Sequence, residues 1–134
     1  MPTGNARVSE SMLGLFEEPA LGHISYHNGK GQIVTFPMWV DHDGEHLLVS
    51  SPVGSRKGRS LRARPDVSVE IVSTKNPWRW LSASGRVVRI EPDENLAFID
   101  RMSQKYTGSA YQRRTPREIF VIEIDRIGDT GQWG

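Results

Sequence analysis

The chain has 134 residues and a mass of 15.1 kDa, which suffices for one domain with one apolar core but not for separate cofactor and substrate domains. It carries 17 Lys and Arg against 16 Asp and Glu, and the resulting net charge of +1 lacks the strong basic excess that is typical of nucleic-acid-binding proteins. The lack of cysteine excludes disulfides, thiolate metal ligands and cysteine nucleophiles. With no secretory segment and no long apolar run, the sequence predicts a single cytoplasmic domain over residues 1–134 that does not associate with membranes.

The first half of the chain alternates apolar runs with turns. Apolar spacing over residues 9–18 predicts a short helix. Residues 21–26 and 32–40 have the composition of strands, and the NGKG sequence between them supplies residues that tolerate positive φ. A second turn, DHDG, precedes a third strand at residues 46–51. These patterns predict an antiparallel meander.

The second half is predicted to contain two helices and three strands. The helices are placed at residues 54–64, with Ser55 as N-cap, and at residues 92–106; the strands are placed at residues 67–73, 80–90 and 118–127. A sheet of six short antiparallel strands leaves the fewest unpaired edge groups when it closes into a barrel. We therefore predict a mainly β fold with short α-helices, a six-stranded antiparallel split β-barrel, with loose ends at about residues 1–8 and 128–134.

A cluster of positive charge follows the third strand. Five bases and no acids occupy the segment that begins at Gly54: Arg56, Lys57, Arg59, Arg62 and Arg64. Ser50 and Ser51 end the strand before it, and Ser55 opens the helix, so hydroxyls, free backbone N–H groups and cations meet in one small volume. A phosphate would fit there. A solvated basic helix face and a weak nucleic-acid patch are the alternatives.

Two other features interrupt an ordinary strand pattern. Pro37 lies inside the apolar run IVTFPMWV, where it removes a backbone donor and indicates an edge strand or a bulge. Trp78 and Trp80 are two residues apart, a spacing that places side chains on one face of a strand. Pro37 indicates either a place where a flat ligand ring meets the backbone or an edge strand protected against aggregation. The two tryptophans indicate either an interface or core packing.

No familiar catalytic arrangement is visible. The four histidines, His23, His27, His42 and His46, have neither helical metal-ligand spacing nor a carboxylate cluster beside them, so no metal site is predicted. The sequence contains no G-x-S-x-G, Walker or G-x-G-x-x-G motif. No catalytic residue can be named from the sequence.

Four segments together resemble the pyridoxamine phosphate oxidase-like split-barrel superfamily, whose members bind FMN or the deazaflavin F420. They are residues 32–39 (QIVTFPMW), 47–51 (LLVSS), 54–61 (GSRKGRSL) and 84–87 (SGRV). Residues 99–108 (IDRMSQKYTG) with Tyr111 are similar to a branch of short proteins described as F420-dependent oxidoreductases. The C-terminal Trp and Arg segment with which vitamin B6 oxidases hold pyridoxal phosphate is not recognisable, so the resemblance does not extend to that reaction.

The resemblance implies a homodimer in which each cofactor lies in a groove between subunits. The positions that match the superfamily's cofactor site are Thr35, Phe36 and Pro37 along the tricyclic ring, Ser50 and Ser51 near the chain, Ser55, Arg56 and Lys57 at the phosphate, Arg59 at an acidic tail, and Trp78 and Trp80 facing a cofactor.

The function that this resemblance implies is hydride transfer between F420 and a small organic substrate. An FMN-dependent oxidoreductase of the same fold is the alternative, and a non-catalytic flavin- or deazaflavin-binding protein is another. Nucleic acid is not an expected partner.

Overall fold

The computed structural model describes residues 6–130, which form one antiparallel sheet flanked by short helices. The strands are β1 (Gly22–His27), β2 (Ile33–Met38), β3 (Asp41–His42), β4 (His46–Pro52), β5 (Asp66–Val72), β6 (Trp80–Pro92) and β7 (Arg117–Asp129). The α-helices are α1 (Arg56–Ala63) and α2 (Ala97–Thr107), and 3-10 helices occupy Glu10–Phe16 and Glu94–Leu96. None of the helices between residues 6 and 130 has the length and hydropathy needed to cross a bilayer.

The order of strands in the sheet is β2-β1-β5-β6-β7-β4-β3. Strands β2 and β3 therefore occupy opposite ends of the sheet, although only Trp39 and Val40 separate them in the chain. Two residues span at most about 10 Å between the flanking residues, so the two ends must lie close together in space. The sheet is curled into a half-barrel, which confirms the predicted split-barrel class.

Two details of the predicted topology were wrong. The structure has seven strands because the predicted DHDG turn contains the two-residue strand β3. The meander does not continue after β2, since β4 pairs with β7 along its whole length, from His46 opposite Glu123 to Pro52 opposite Arg117. The long strand β7 offers seven residues for pairing with β4. Among residues 6–130, β2 pairs only with β1 and is an edge strand. This position confirms the edge expected from Pro37.

A bulge in the longest strand pair helps the sheet to bend. The register between β6 and β7 shifts between Ser84 and Gly85, and again between Val87 and Arg89. A Cβ atom at Gly85 would lie 1.8 Å from the carbonyl oxygen of Glu123, so only glycine allows the two backbones to approach there.

The apolar core lies inside the curled sheet and is closed by the first 3-10 helix. The buried side chains of this helix are Met12, Leu15 and Phe16, and the strands and α1 contribute residues such as Ile24, Leu47, Leu61, Leu81 and Phe120. The buried residues Phe98, Ile99 and Met102 of α2 lie outside this main cluster. They are free to form one wall of a separate cavity.

The third predicted helix, placed at residues 92–106, starts later than the sequence indicates. Pro92 ends β6, and Asn95 and Leu96 have φ values of 56° and 57°, which break the helical path before α2 begins at Ala97. Asp93 directs this break, because its carboxylate oxygens accept from the backbone N–H groups of Phe98 at 2.8 Å and Ile99 at 3.0 Å. Asp93 therefore caps α2 from a position four residues before the helix begins.

Part of each predicted loose end belongs to the fold. The Ala6 N–H donates to the carbonyl oxygen of Ile124 at 3.2 Å, and β7 extends through residues 128 and 129. The remainder of these ends, residues 1–5 and 131–134, lies outside the described residues.

Candidate functional site

The turn from β4 into α1 is fixed by hydroxyl groups. Ser55 is the N-cap, with its Oγ accepting from the Gly58 N–H at 3.0 Å, and the Ser51 and Ser55 hydroxyls are hydrogen-bonded at 2.7 Å. Gly54 has a φ of 79°, and Arg59 Nη1 donates to its carbonyl oxygen at 2.6 Å. The backbone N–H groups in the first turn of α1 are thus held in a fixed orientation beside the curled sheet.

A cavity of about 290 Å³ opens beside this turn. Its walls come from the residue before β1, the end of β2 and the residue after it, β4, α1, α2, the segment after α2 and the start of β7. The lining residues are Leu21, Pro37, Met38, Trp39, Ser50, Lys57, Phe98, Ile99, Met102, Tyr111 and Arg117. Most of this lining is apolar or aromatic, and both charged members are cations.

Arg117, the first residue of β7, is 8% exposed. Its Nε donates to Ser50 Oγ at 2.9 Å, its Nη1 lies 3.5 Å from the Tyr111 hydroxyl, and its guanidinium carbon is 5.1 Å from the centre of the Tyr111 ring. Burial lowers the pKa of Arg117 from its ordinary value. Among residues 6–130, Arg117 forms no ion pair with a carboxylate.

Lys57 is half-buried in the first turn of α1 and faces the same cavity. Its Nζ lies 4.8 Å from the centre of the Phe36 ring, so it bridges α1 and β2. Its pKa is lowered by burial and, to a smaller extent, by repulsion from Arg117. In the described part of the chain Lys57, like Arg117, has no carboxylate partner, and two uncompensated cations on one cavity favour an anionic ligand.

An aromatic cluster forms one side of the cavity. The Trp39 ring stacks on Tyr106 with centres 5.1 Å apart and an interplanar angle of 6°, and it meets Tyr111 edge-on at 5.9 Å. The Tyr106 hydroxyl donates to the carbonyl oxygen of Ala20 at 2.7 Å, and burial raises its pKa. The cluster gives the cavity a flat, fixed apolar wall.

Three of the residues predicted to bind a cofactor line this cavity: Pro37, Ser50 and Lys57. Phe36 lies beside it under Lys57. Thr35 is also on β2, and its hydroxyl is hydrogen-bonded to Ser25 at 2.9 Å.

Arg56 and Arg59 are exposed and line a different opening. This cleft lies between α1 and the turn after β1, has a volume of about 640 Å³, and also contains Lys30 and Arg64. Arg56 and Lys57, expected to act together, are thus consecutive residues on two sides of the helix entrance. A phosphate placed over the first turn of α1 is the position that both could reach.

Trp78 and Trp80 do not line the cavity of their own chain. The expectation that both lie on a strand was wrong for Trp78, because β6 begins at Trp80 and Trp78 belongs to the preceding turn, where its N–H donates to Asn76 Oδ1 at 3.0 Å. Trp78 is 70% exposed and Trp80 is 38% exposed. Neither is a core residue, and Ser82 and Ser84 continue the outward face from Trp80.

The sequence did not single out several residues of this cavity. Trp39, Phe98, Ile99, Met102 and Arg117 were absent from the predicted site. The signal for Arg117 was weak, since an arginine before an apolar strand is ordinarily exposed, and only the pairing of β7 with β4 brings it to Ser50. Within residues 6–130 no group of three or more His, Asp or Glu residues could hold a metal ion.

The curled half-barrel, with its cation-lined cavity beside the start of α1, is a split-barrel fold. Residues 9–131 match the family model described as pyridoxamine 5'-phosphate oxidase, and the chain belongs to that family. None of the curated proteins matches the sequence.

Solved structures agree with this assignment. A protein described as an F420 reductase is 27% identical, with a TM-score of 0.79 over 90% of this chain and 98% of that one. A conserved hypothetical protein, Rv2991 from Mycobacterium tuberculosis, is 19% identical with a TM-score of 0.71 over 96% and 88% of the two chains. General stress protein 26 from Bacillus anthracis is 17% identical with a TM-score of 0.67 over 90% and 91%. The last two share the fold, and the family is one of flavin- and deazaflavin-type oxidoreductase-like proteins.

Proposed function

We propose that the protein is a homodimeric oxidoreductase that binds F420 in a groove between subunits and exchanges a hydride with a small organic substrate. The observation that carries this proposal is the half-buried Lys57, which lies between the edge strand β2 and the first turn of α1 and has no carboxylate partner among residues 6–130. The 27% identity to a protein described as an F420 reductase favours the deazaflavin.

The residues at this site fit a planar molecule that carries a phosphate. Lys57, the exposed side chain of Arg56 and the N–H groups of the first turn of α1 would hold the phosphate. Ser55 and Ser51 would keep that turn in place through their mutual hydrogen bond. Arg59 would contact an acidic tail, because its bond to Gly54 occupies one of its five N–H donors.

The edge strand β2 would support the ring. Thr35, Phe36 and Pro37 lie on a strand that, within the described residues 6–130, pairs only with β1, so these residues leave the backbone on its other side open to a ligand. When bound, the cofactor supplies the hydride-transfer chemistry, and this chain supplies orientation, an apolar wall and positive charge. The hydroxyl of Ser50 is already bonded to Arg117, so it would position that cation rather than exchange protons.

Trp78 and Trp80 are proposed to contact the partner subunit or the cofactor it holds. Their exposure on one chain, 70% and 38%, is larger than large aromatic rings usually show without a partner. A dimer would therefore complete the groove.

FMN is the second candidate cofactor, because it has the same combination of phosphate and flat ring and because the matching family is described as pyridoxamine 5'-phosphate oxidase. A carrier that binds the ring without turnover is the third. Titration of the purified protein with F420 and separately with FMN, followed by ring fluorescence, tests the choice of cofactor.

Turnover is tested by steady-state oxidation of the reduced cofactor with a panel of quinones and enones. We expect saturable binding and turnover with F420. Binding without turnover of any acceptor would favour the carrier, and tighter binding of FMN would favour the alternative cofactor. Lys57→Met should weaken cofactor binding, and Lys75→Met, which removes a charge at an exposed lysine outside the cavity, is its matched control.

A further inference from the structure

The side chain of Arg117 has N–H donors that the described residues, 6–130, do not use. A guanidinium has five N–H donors, and the described contacts of Arg117 are with two neutral hydroxyls, those of Ser50 and Tyr111. A cation that is 8% exposed carries a large desolvation penalty unless an anion compensates it. Arg117 is therefore suited to an anion that residues 6–130 do not provide.

The charged groups around Arg117 do not supply that anion. Asp93 favours the charged form of Arg117, but among residues 6–130 the two form no ion pair, and the carboxylate oxygens of Asp93 accept the backbone N–H groups of Phe98 and Ile99 instead. Arg113 and Lys57 act in the opposite direction, as like charges. The unmet charge of Arg117 faces the cavity that Lys57 also lines.

The position of Arg117 separates it from the proposed phosphate contacts. Arg56, Lys57 and the free N–H groups approach from the first turn of α1, whereas Arg117 enters from the start of β7, next to Tyr111. The remaining walls near it are apolar and come from α2, at Phe98, Ile99 and Met102. This side of the cavity suits a ligand with an apolar body and one anionic group.

We propose that Arg117 is a substrate-binding residue, and that the substrates of this protein are small organic anions whose carboxylate or comparable oxyanion is held by the guanidinium. The assignment of this anion to the substrate rests on the proposed function, because the phosphate of the cofactor is taken to lie at the entrance of α1. Ser50 and Tyr111 are positioning residues that orient the guanidinium.

Benzoate and its neutral analogue benzamide are suitable probes of this subsite. With the full chain in isothermal titration calorimetry, we expect one benzoate to bind per cavity and benzamide to bind at least tenfold more weakly. Arg117→Met, which keeps an apolar side chain of similar length, should weaken benzoate binding at least tenfold, and Arg117→Lys should retain part of it. Arg89→Met, at an exposed arginine paired with Glu91, should leave benzoate affinity unchanged.

The same titrations in the presence of the cofactor separate the two proposals. We expect benzoate to bind the F420- or FMN-loaded protein, and Arg117→Met to keep cofactor affinity within twofold of wild type. Competition between benzoate and the cofactor, or equal loss of cofactor affinity in Arg117→Met, would assign Arg117 to the cofactor phosphate and overturn the substrate subsite. Equal affinity of the wild-type protein for benzoate and benzamide would also overturn the substrate subsite, and this test does not depend on whether the variants fold. Benzoate binding without binding of either cofactor would overturn the proposed function and leave the anion site standing.

Discussion

Lys57 Nζ lies 4.8 Å from the centre of the Phe36 ring, which joins the first turn of α1 to the edge strand β2. These two elements are the ones proposed to hold the phosphate and the ring of a cofactor. A cation held over an aromatic face is fixed more tightly than a free lysine, at a gain of about 0.5–1 kcal/mol at exposed sites. The ammonium group is thereby positioned before any ligand arrives.

Lys57→Met should weaken cofactor binding without weakening the fold. Loss of a hydrogen bond to a charged group is worth about 1.5–3 kcal/mol, so the dissociation constant should rise roughly tenfold to a hundredfold. The unfolding midpoint of the cofactor-free protein should equal or exceed that of wild type, because the ammonium is desolvated without an anionic partner among the described residues. Fluorescence titration and thermal unfolding measure the two effects. Unchanged affinity in Lys57→Met would remove Lys57 from the site, and Lys75→Met controls for loss of a positive charge.

The free energy of unfolding and the cofactor affinity should both depend on pH as expected for a lysine whose pKa is lowered in the folded protein. Burial, with Arg117 as the second cause, lowers the pKa of Lys57 below its ordinary value of 10.5, so the unfolded chain binds more protons than the folded one between the lowered pKa and 10.5. The Lys57 contribution to the free energy of unfolding therefore rises with pH across that window, while cofactor affinity falls as the ammonium is lost.

Urea unfolding of wild type and Lys57→Met at a series of pH values isolates this contribution. The stability advantage of Lys57→Met should shrink as pH rises towards 10.5. Lys105, whose pKa is also lowered by burial, is present in both proteins and cancels in the difference. A difference that stays constant with pH would show that Lys57 is not desolvated.

The local patterns of the sequence were enough to predict the barrel. Strand periodicity and the NGKG turn gave the β1–β2 hairpin, and Pro37 correctly indicated an edge. The pairing of β4 with β7 could not be predicted in this way, because it joins residues about 70 positions apart and depends on the crossing from β2 to β3 at Trp39 and Val40.

The candidate site was predictable where its residues are close in sequence. Ser55 as a cap and Lys57 in the first turn follow from local composition, and the structure places both at the entrance of α1. Arg117 was missed because burial of an arginine depends on tertiary contacts with Ser50 and Tyr111, which no periodicity records. Consecutive residues such as Arg56 and Lys57 also diverge by about 100° around a helix, so adjacency in sequence did not place them in one opening.

Lys105 should matter for stability rather than for ligand binding. Its Nζ donates to the carbonyl oxygens of Phe16 at 2.8 Å and Val40 at 3.2 Å, which ties α2 to the end of the first 3-10 helix and to the crossing between β2 and β3. Lys105→Met leaves both carbonyls without this donor and should lower the free energy of unfolding by about 1–3 kcal/mol. Urea unfolding measures it, with the exposed Lys75→Met expected to stay within about 0.5 kcal/mol of wild type. Equal stability of the two variants would show that the Lys105 hydrogen bonds to Phe16 and Val40 do not stabilise the fold.

Asp93→Ala should loosen the wall of the cavity that α2 provides. The buried carboxylate accepts from the N–H groups of Phe98 and Ile99, and both of those side chains line the cavity. Removal of a helix cap lowers the free energy of unfolding by about 0.5–2 kcal/mol, and we expect the upper part of that range because the cap is buried. Hydrogen exchange at the start of α2 should accelerate in Asp93→Ala and not in Glu94→Ala, whose side chain is exposed. Unchanged exchange would mean that the break before α2 is held by the backbone alone.

Trp80→Ala tests whether the outward face of β6 meets a second copy of the chain. Trp80 is 38% exposed, and Ser82 and Ser84 extend the same face, so within residues 6–130 the ring has little to pack against on that side. Truncation of an aromatic residue that anchors an interface weakens the binding free energy by about 2 kcal/mol or more, which corresponds to a dimer dissociation constant at least roughly thirtyfold higher. Sedimentation velocity across a dilution series should therefore show monomer at concentrations where wild type is dimeric, with cofactor affinity reduced in parallel if each groove needs both subunits.

Val88→Ala, an exposed apolar truncation at the far end of β6, distinguishes a specific anchor from a general loss of apolar surface. A dimer as tight as wild type, with unchanged cofactor affinity, would make Trp80 an ordinary surface residue.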